Sequence, residues 1–110
     1  MKIPKTLKVG GRTYTIVYPY KFDTSERVQL GFHEPFLQEI KLADINSNGR
    51  KFNDQSVMHT FIHEVIHAID TVYNNNRIQE LGDKGEEIID QLAEGLLQVV
   101  RDNDLDLRNG

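Results

Sequence analysis

The sequence has no cysteine, no tryptophan and only three prolines. Lack of cysteine rules out a disulfide framework, a thiolate metal site and a thiol nucleophile together. Nor is there an apolar run approaching the roughly 18–20 residues that cross a bilayer. The opening Met1-Lys2-Ile3-Pro4-Lys5 is followed by no apolar segment of the signal-peptide kind, so the expected location is the cytoplasm. Basic residues number 13 against 17 acidic ones, a formal net charge of -4, and no long basic run occurs. Nucleic acid and membrane are therefore not expected partners. What remains is an ordinary globular composition, 38% hydrophobic and 27% charged over 110 residues, enough for a single domain spanning 1–110 with one modest core.

Within that plain background His63-Glu64-Val65-Ile66-His67 stands out. On a helix, residues four apart lie on one face, so the two imidazoles can converge on one ion. Glu64 falls about 100° further round, at the edge of the same cleft, where it can hold a water and accept its proton. Two ligands and a base on one rigid helix is the pattern of a zinc hydrolase. The competing explanation is a helix with two surface histidines. The flanking Phe61, Ile62, Val65, Ile66 and Ile69 weigh against it, because they make most of this helix apolar.

The rest of the chain reads as α+β: a small antiparallel sheet of about four strands in two hairpins, followed by two packed helices. Residues 5–20 form the first hairpin, turning at Gly10-Gly11 and setting Leu7 opposite Tyr14. Residues 28–33 and 37–44 form the second. Leu37–Asp44 is the candidate edge strand along which an extended peptide could add. Asn53 or Asp54 offers an N-cap for a helix over 54–73, which Asn74-Asn75-Asn76 ends. A polar stretch over 77–85 reads as a loop or flap, a last helix runs over 84–103, and a frayed tail follows.

Catalytic zinc takes three protein ligands and keeps one position open. On a helical wheel, Ile88, Ile89, Leu92, Leu96, Val99 and Val100 of the last helix fill one arc. Glu86 lies at the rim of that arc, whereas Glu87 lies amid Gln91, Glu94 and Gln98 on the polar face. Glu86 is the expected third ligand and Glu87 the fallback. Asp90, one turn beyond Glu86, can accept the free N–H of a ligating histidine and set its tautomer. Asp70, one turn past His67, is either another such acceptor or a less favoured third ligand.

His63-Glu64-x-x-His67 with Glu86-x-x-x-Asp90 resembles the gluzincin metallopeptidases. The run from Glu86 to Leu97 also looks like the small ImmA/IrrE-type zinc peptidases of phages and mobile elements, with a helix of roughly E-x-x-A-N-x-F-A-x-x-L-L. Here Ile89, Asp90 and Leu92 stand at the A, N and F positions. The likeness covers the second half of the chain. It implies a minimal zincin-like fold, Zn²⁺ on His63, His67 and Glu86, and Glu64 as base, and it carries no substrate.

The function expected is therefore that of a zinc peptidase acting on a protein or peptide, with a regulatory protein as one kind of target. For the group that stabilises the developing oxyanion, the sequence offers His59, Tyr73 and His33, and His59 leads because it lies one turn before His63. Tyr73 reads rather as a core aromatic closing its helix. The alternative is a catalytically silent module in which zinc pins the two helices and stabilises a binding or regulatory surface.

Overall fold

A computed structural model describes residues 2–22, 30–46 and 48–105. Most of the loop expected over 21–27, the first two residues of the strand expected from Val28, and the tail beyond Leu105 lie outside those residues. The described elements run β1 (Thr6–Val9), β2 (Arg12–Val17), β3 (Gly31–Glu34), β4 (Glu39–Leu42), α1 (Asp54–Tyr73), a one-turn 3-10 helix (Gln79–Leu81) and α2 (Asp83–Asn103). This is the expected α+β order of four strands and two packed helices.

The first hairpin has the register that its alternation demands, with Leu7 opposite Tyr14 and Gly10 taking φ 61° in the turn. The second, β3 with β4, is also antiparallel and pairs Gly31 with Leu42 and His33 with Ile40. The two hairpins join by a parallel seam between β2 and β4, so the sheet is mixed, with the order β1-β2-β4-β3. That seam moves the edge. Leu37–Asp44, expected as the edge strand, contains β4, which is paired on both sides. The edge is β3.

The inward positions of the sheet, Tyr14, Ile16, Ile40 and Leu42, pack on Met58, Phe61 and Ala68 of α1 to form the core. This apolar stripe of α1 points at the sheet and turns the adjoining face, which carries the two histidines, toward the cleft. The helix begins where Asn53 accepts a hydrogen bond from the Ser56 amide at 2.8 Å, an N-cap. It ends at Tyr73, with left-handed backbone at Asn75 and Asn76. Tyr73 closes the helix as expected but is 71% exposed and not a core aromatic. α2 lies against α1 with Ile89 and Ala93 fully buried. No helix among the described residues is long and apolar enough to cross a membrane.

Candidate metal centre

The contacts between α1 and α2 run in opposite senses: His59 and His63 meet Asp90, and His63 and His67 meet Glu86. The two helices are thus antiparallel, and each turn of one faces a turn of the other. The side chains of His63 and His67 are only 15% and 12% exposed. Glu86 Oε2 lies 3.1 Å from His63 Nε2, and Glu86 Oε1 lies 2.6 Å from His67 Nε2. One ligand atom from each of the three residues falls within 4.8 Å of the others. Glu86, not Glu87, is the carboxylate brought to the histidines, because it flanks the apolar arc that packs on α1. Its place on the helix depends on Gly85, where a Cβ would stand 2.0 Å from the Ile78 carbonyl oxygen. The first turn of α2 can approach the preceding loop that closely only without a side chain.

Asp90 lies beside His63. Its Oδ1 lies 3.3 Å from His63 Nδ1. With the proton of His63 held there, the lone pair on Nε2 faces Glu86 and His67, the tautomer a metal ligand needs. His59 departs from expectation. Its Nε2 lies 3.3 Å from the same Asp90 oxygen and 3.4 Å from the Asp90 carbonyl, so its imidazole is engaged by the carboxylate that supports His63.

Asp70, expected as a metal ligand or as an acceptor behind one, serves the loop between the helices. Its Oδ1 accepts from the Asn74 amide at 2.9 Å and from the Ile78 backbone at 3.1 Å, and its Oδ2 from the Gln79 backbone at 3.0 Å. The residue is 2% exposed. Burial by itself would raise its pKa, but these hydrogen bonds, aided by nearby His67, hold the carboxyl below its ordinary value. Of the stretch 77–85, read from sequence as a loop or flap, residues 77–82 are a turn and a 3-10 helix anchored by this carboxylate, and residues 83–85 already belong to α2.

Glu64 is 8% exposed and borders a cleft of about 500 Å³ between β3 on one side and the two helices on the other. Gly31, Phe32 and His33 of β3 line one wall, and His59, Thr60, His63, His67, Glu86 and Asp90 line the other. The walls close tightly at Gly31, where a Cβ would lie 2.6 Å from Thr60 Cγ2 and 3.2 Å from Glu64 Oε2. Burial pushes the Glu64 carboxyl up to about 8, and the negative charge of Glu86 adds to the effect. A cation on Glu86 and the two histidines would reverse that second contribution and draw the pKa back down. Burial also lowers the pKa of His67; the Glu86 carboxylate opposes this, and His63 reinforces it.

Among the described residues the outer edge of β3 carries no further strand, and its residues border this cleft. Ala43 donates its amide to the Leu30 carbonyl at 2.9 Å. In that register Phe32 and Glu34 are the hydrogen-bonded partners of Lys41 and Glu39. Gly31 and His33 therefore turn their backbone N–H and C=O groups away from β4, along the edge. The His33 side chain lies inward, 8% exposed, with Nε2 paired to the Tyr14 hydroxyl at 2.8 Å. Burial first, and the charge of His67 next, lower its pKa to about 4. The Tyr14–His33 pair carries no sequence signal, since the two residues lie on strands that are not neighbours in the sheet.

Comparison with protein-family models, with curated proteins and with solved structures finds no match. The reading of the site accordingly rests on its own residues. Two imidazole nitrogens and a carboxylate oxygen, mutually within 4.8 Å, fit the donor set of a catalytic zinc site, which leaves a coordination position open. A structural site would more commonly be closed by a fourth protein ligand, and none accompanies these three among the described residues.

Proposed function

We propose that the chain is a zinc-dependent peptidase, a minimal member of the gluzincin class. What carries this reading is Glu64: a buried carboxylate on the helix turn between two converging histidines, bordering the same cleft as the Glu86 cluster. A purely structural metal site has no use for a base there. His63, His67 and Glu86 would hold the ion, and Zn²⁺ when bound would supply Lewis-acid activation of water and of a carbonyl.

The chain's own groups account for the remaining work. The outward N–H and C=O groups of Gly31 and His33 can bind an extended peptide by strand addition, the mode expected for the edge of the sheet. Glu64 takes the proton of the attacking water and gives it to the departing amine. Asp90 holds His63 in its ligating tautomer. The substrate proposed is a protein or peptide with an extended segment, with a regulatory protein as the kind of target the resemblance implies. The setting proposed is the cytoplasm of a cell carrying a phage or mobile element.

The test compares wild type with Glu64→Gln, both loaded with zinc, on a complex peptide mixture read by mass spectrometry. Wild type should cleave, and the variant should bind zinc equally and cleave nothing. Undiminished turnover by Glu64→Gln would refute the base assignment. Zinc binding by a wild-type chain that leaves every peptide intact would favour the silent regulatory module instead.

A further inference from the structure

His33 is the buried titratable group of the cleft for which metal binding and proton transfer leave no task. It sits on an edge strand and borders the cleft, and Tyr14 occupies one of its two nitrogens. The other nitrogen, Nδ1, has no hydrogen-bond partner among the described residues, and it is not among the buried unpaired atoms. Tyr14 is fully buried. Its phenol is a better donor than a neutral imidazole and a poorer acceptor, so the O–H proton points at Nε2 and the imidazole proton resides on Nδ1. The ring is thereby a neutral N–H donor on a residue that borders the cleft, held by a hydrogen bond in the core.

The other two candidates for stabilising an oxyanion are otherwise placed. His59 is engaged by Asp90, and Tyr73 points to solvent at the far end of α1. We propose that His33 donates a hydrogen bond from Nδ1 to the scissile carbonyl oxygen of the substrate as negative charge develops on it, and that Tyr14 is the positioning residue that fixes its tautomer. A peptide added along the Gly31–His33 edge would bring its carbonyl groups past this ring. A neutral donor suits the position, because it can strengthen its hydrogen bond to the oxygen without adding a positive charge beside the cation. Its low pKa, near 4, keeps it neutral at physiological pH. This inference rests on the peptidase reading and extends it.

The experiment uses the full chain and two isosteric variants. His33→Gln sets an amide where Nε2 was, which keeps the partner of Tyr14 and removes the donor in the cleft. His33→Asn sets its amide near Nδ1, which keeps the donor and gives up the partner. Nitrogen-15 spectra of the wild-type imidazole should show the proton on Nδ1, with and without zinc, and Tyr14→Phe should mix the tautomers. Acetohydroxamate serves as the probe, its carbonyl oxygen standing in for that of the peptide. Its affinity for the zinc-loaded chain should fall about tenfold in His33→Gln and about threefold or less in His33→Asn. Zinc affinity itself should be unchanged in both. A proton found on Nε2, or full probe affinity in His33→Gln, overturns the assignment. A chain that takes up no zinc at all sinks the peptidase reading, and this inference with it.

Discussion

Asp70 offers a sharp test of how the site is assembled, because its carboxylate bonds to Asn74, Ile78 and Gln79 rather than to His63, His67 or Glu86, and so anchors the loop that leads into α2. Asp70→Asn preserves shape but replaces one oxygen with an NH₂ group facing a backbone donor. At least one of the Ile78 and Gln79 amides, now bonded at 3.1 and 3.0 Å, then loses its acceptor in a buried place. An unsatisfied buried donor costs about 1–3 kcal/mol, and hydrogen bonds to a charged acceptor are the stronger kind. The substitution should therefore destabilise the chain by about 2–4 kcal/mol at neutral pH. The pH dependence gives a second handle. The folded-state pKa of Asp70 lies below the ordinary 3.8, so its stabilisation is whole above that value and is lost as pH falls through the folded value. Asparagine does not titrate, so the gap between wild type and variant should narrow in acid. Urea unfolding of both proteins with chelator present, between neutral pH and pH about 3, measures the gap directly, and groups that titrate alike in both cancel. A difference below about 0.5 kcal/mol at neutral pH, in the range of ordinary surface changes, would refute this account, as would a gap that stays constant into acid.

Three further outcomes follow from the site. Gly31→Ala drives a methyl to within 2.6 Å of Thr60 Cγ2 and against Glu64; it should cost about 1–3 kcal/mol and reduce cleavage more than zinc content, as read by thermal melts alongside atomic spectroscopy. Zinc content should fall in Glu86→Ala and stay at the wild-type level in Glu87→Ala, and loss in the second alone would transfer the ligand to Glu87. The folded-state pKa of His33 is about 4 against an ordinary 6.5, so its contribution to stability is whole above pH 6.5 and is lost as pH falls toward 4. The loss amounts to about 3 kcal/mol at most. His33→Gln should flatten that part of the stability–pH curve, and an unchanged slope would show that His33 is not the group titrating.

The candidate cluster of His63, His67 and Glu86 was legible wherever local periodicity decides the outcome. The spacing of His63 and His67 puts both on one helical face whatever surrounds them, because 3.6 residues per turn is a property of the backbone. The same geometry separated Glu86 from Glu87 on α2, since one borders the apolar arc and the other does not. Alternation and Gly10 gave the register of the first hairpin, and Asn53 marked the start of α1. Asp90 followed as well, being one turn from Glu86.

Tertiary structure alone decided which strand forms the wall of the cleft. The parallel seam between β2 and β4 joins segments more than twenty residues apart, and no local pattern dictates it; it buries β4 and leaves Gly31 and His33 on the edge. The same non-local packing paired His33 with Tyr14, turned His59 to Asp90, and gave Asp70 to the loop. A carboxylate or an imidazole one turn from a ligand looks the same along the chain whether its partner is an ion, a backbone amide or a side chain on another element. Which of them it meets is set by how the sheet and the two helices stack.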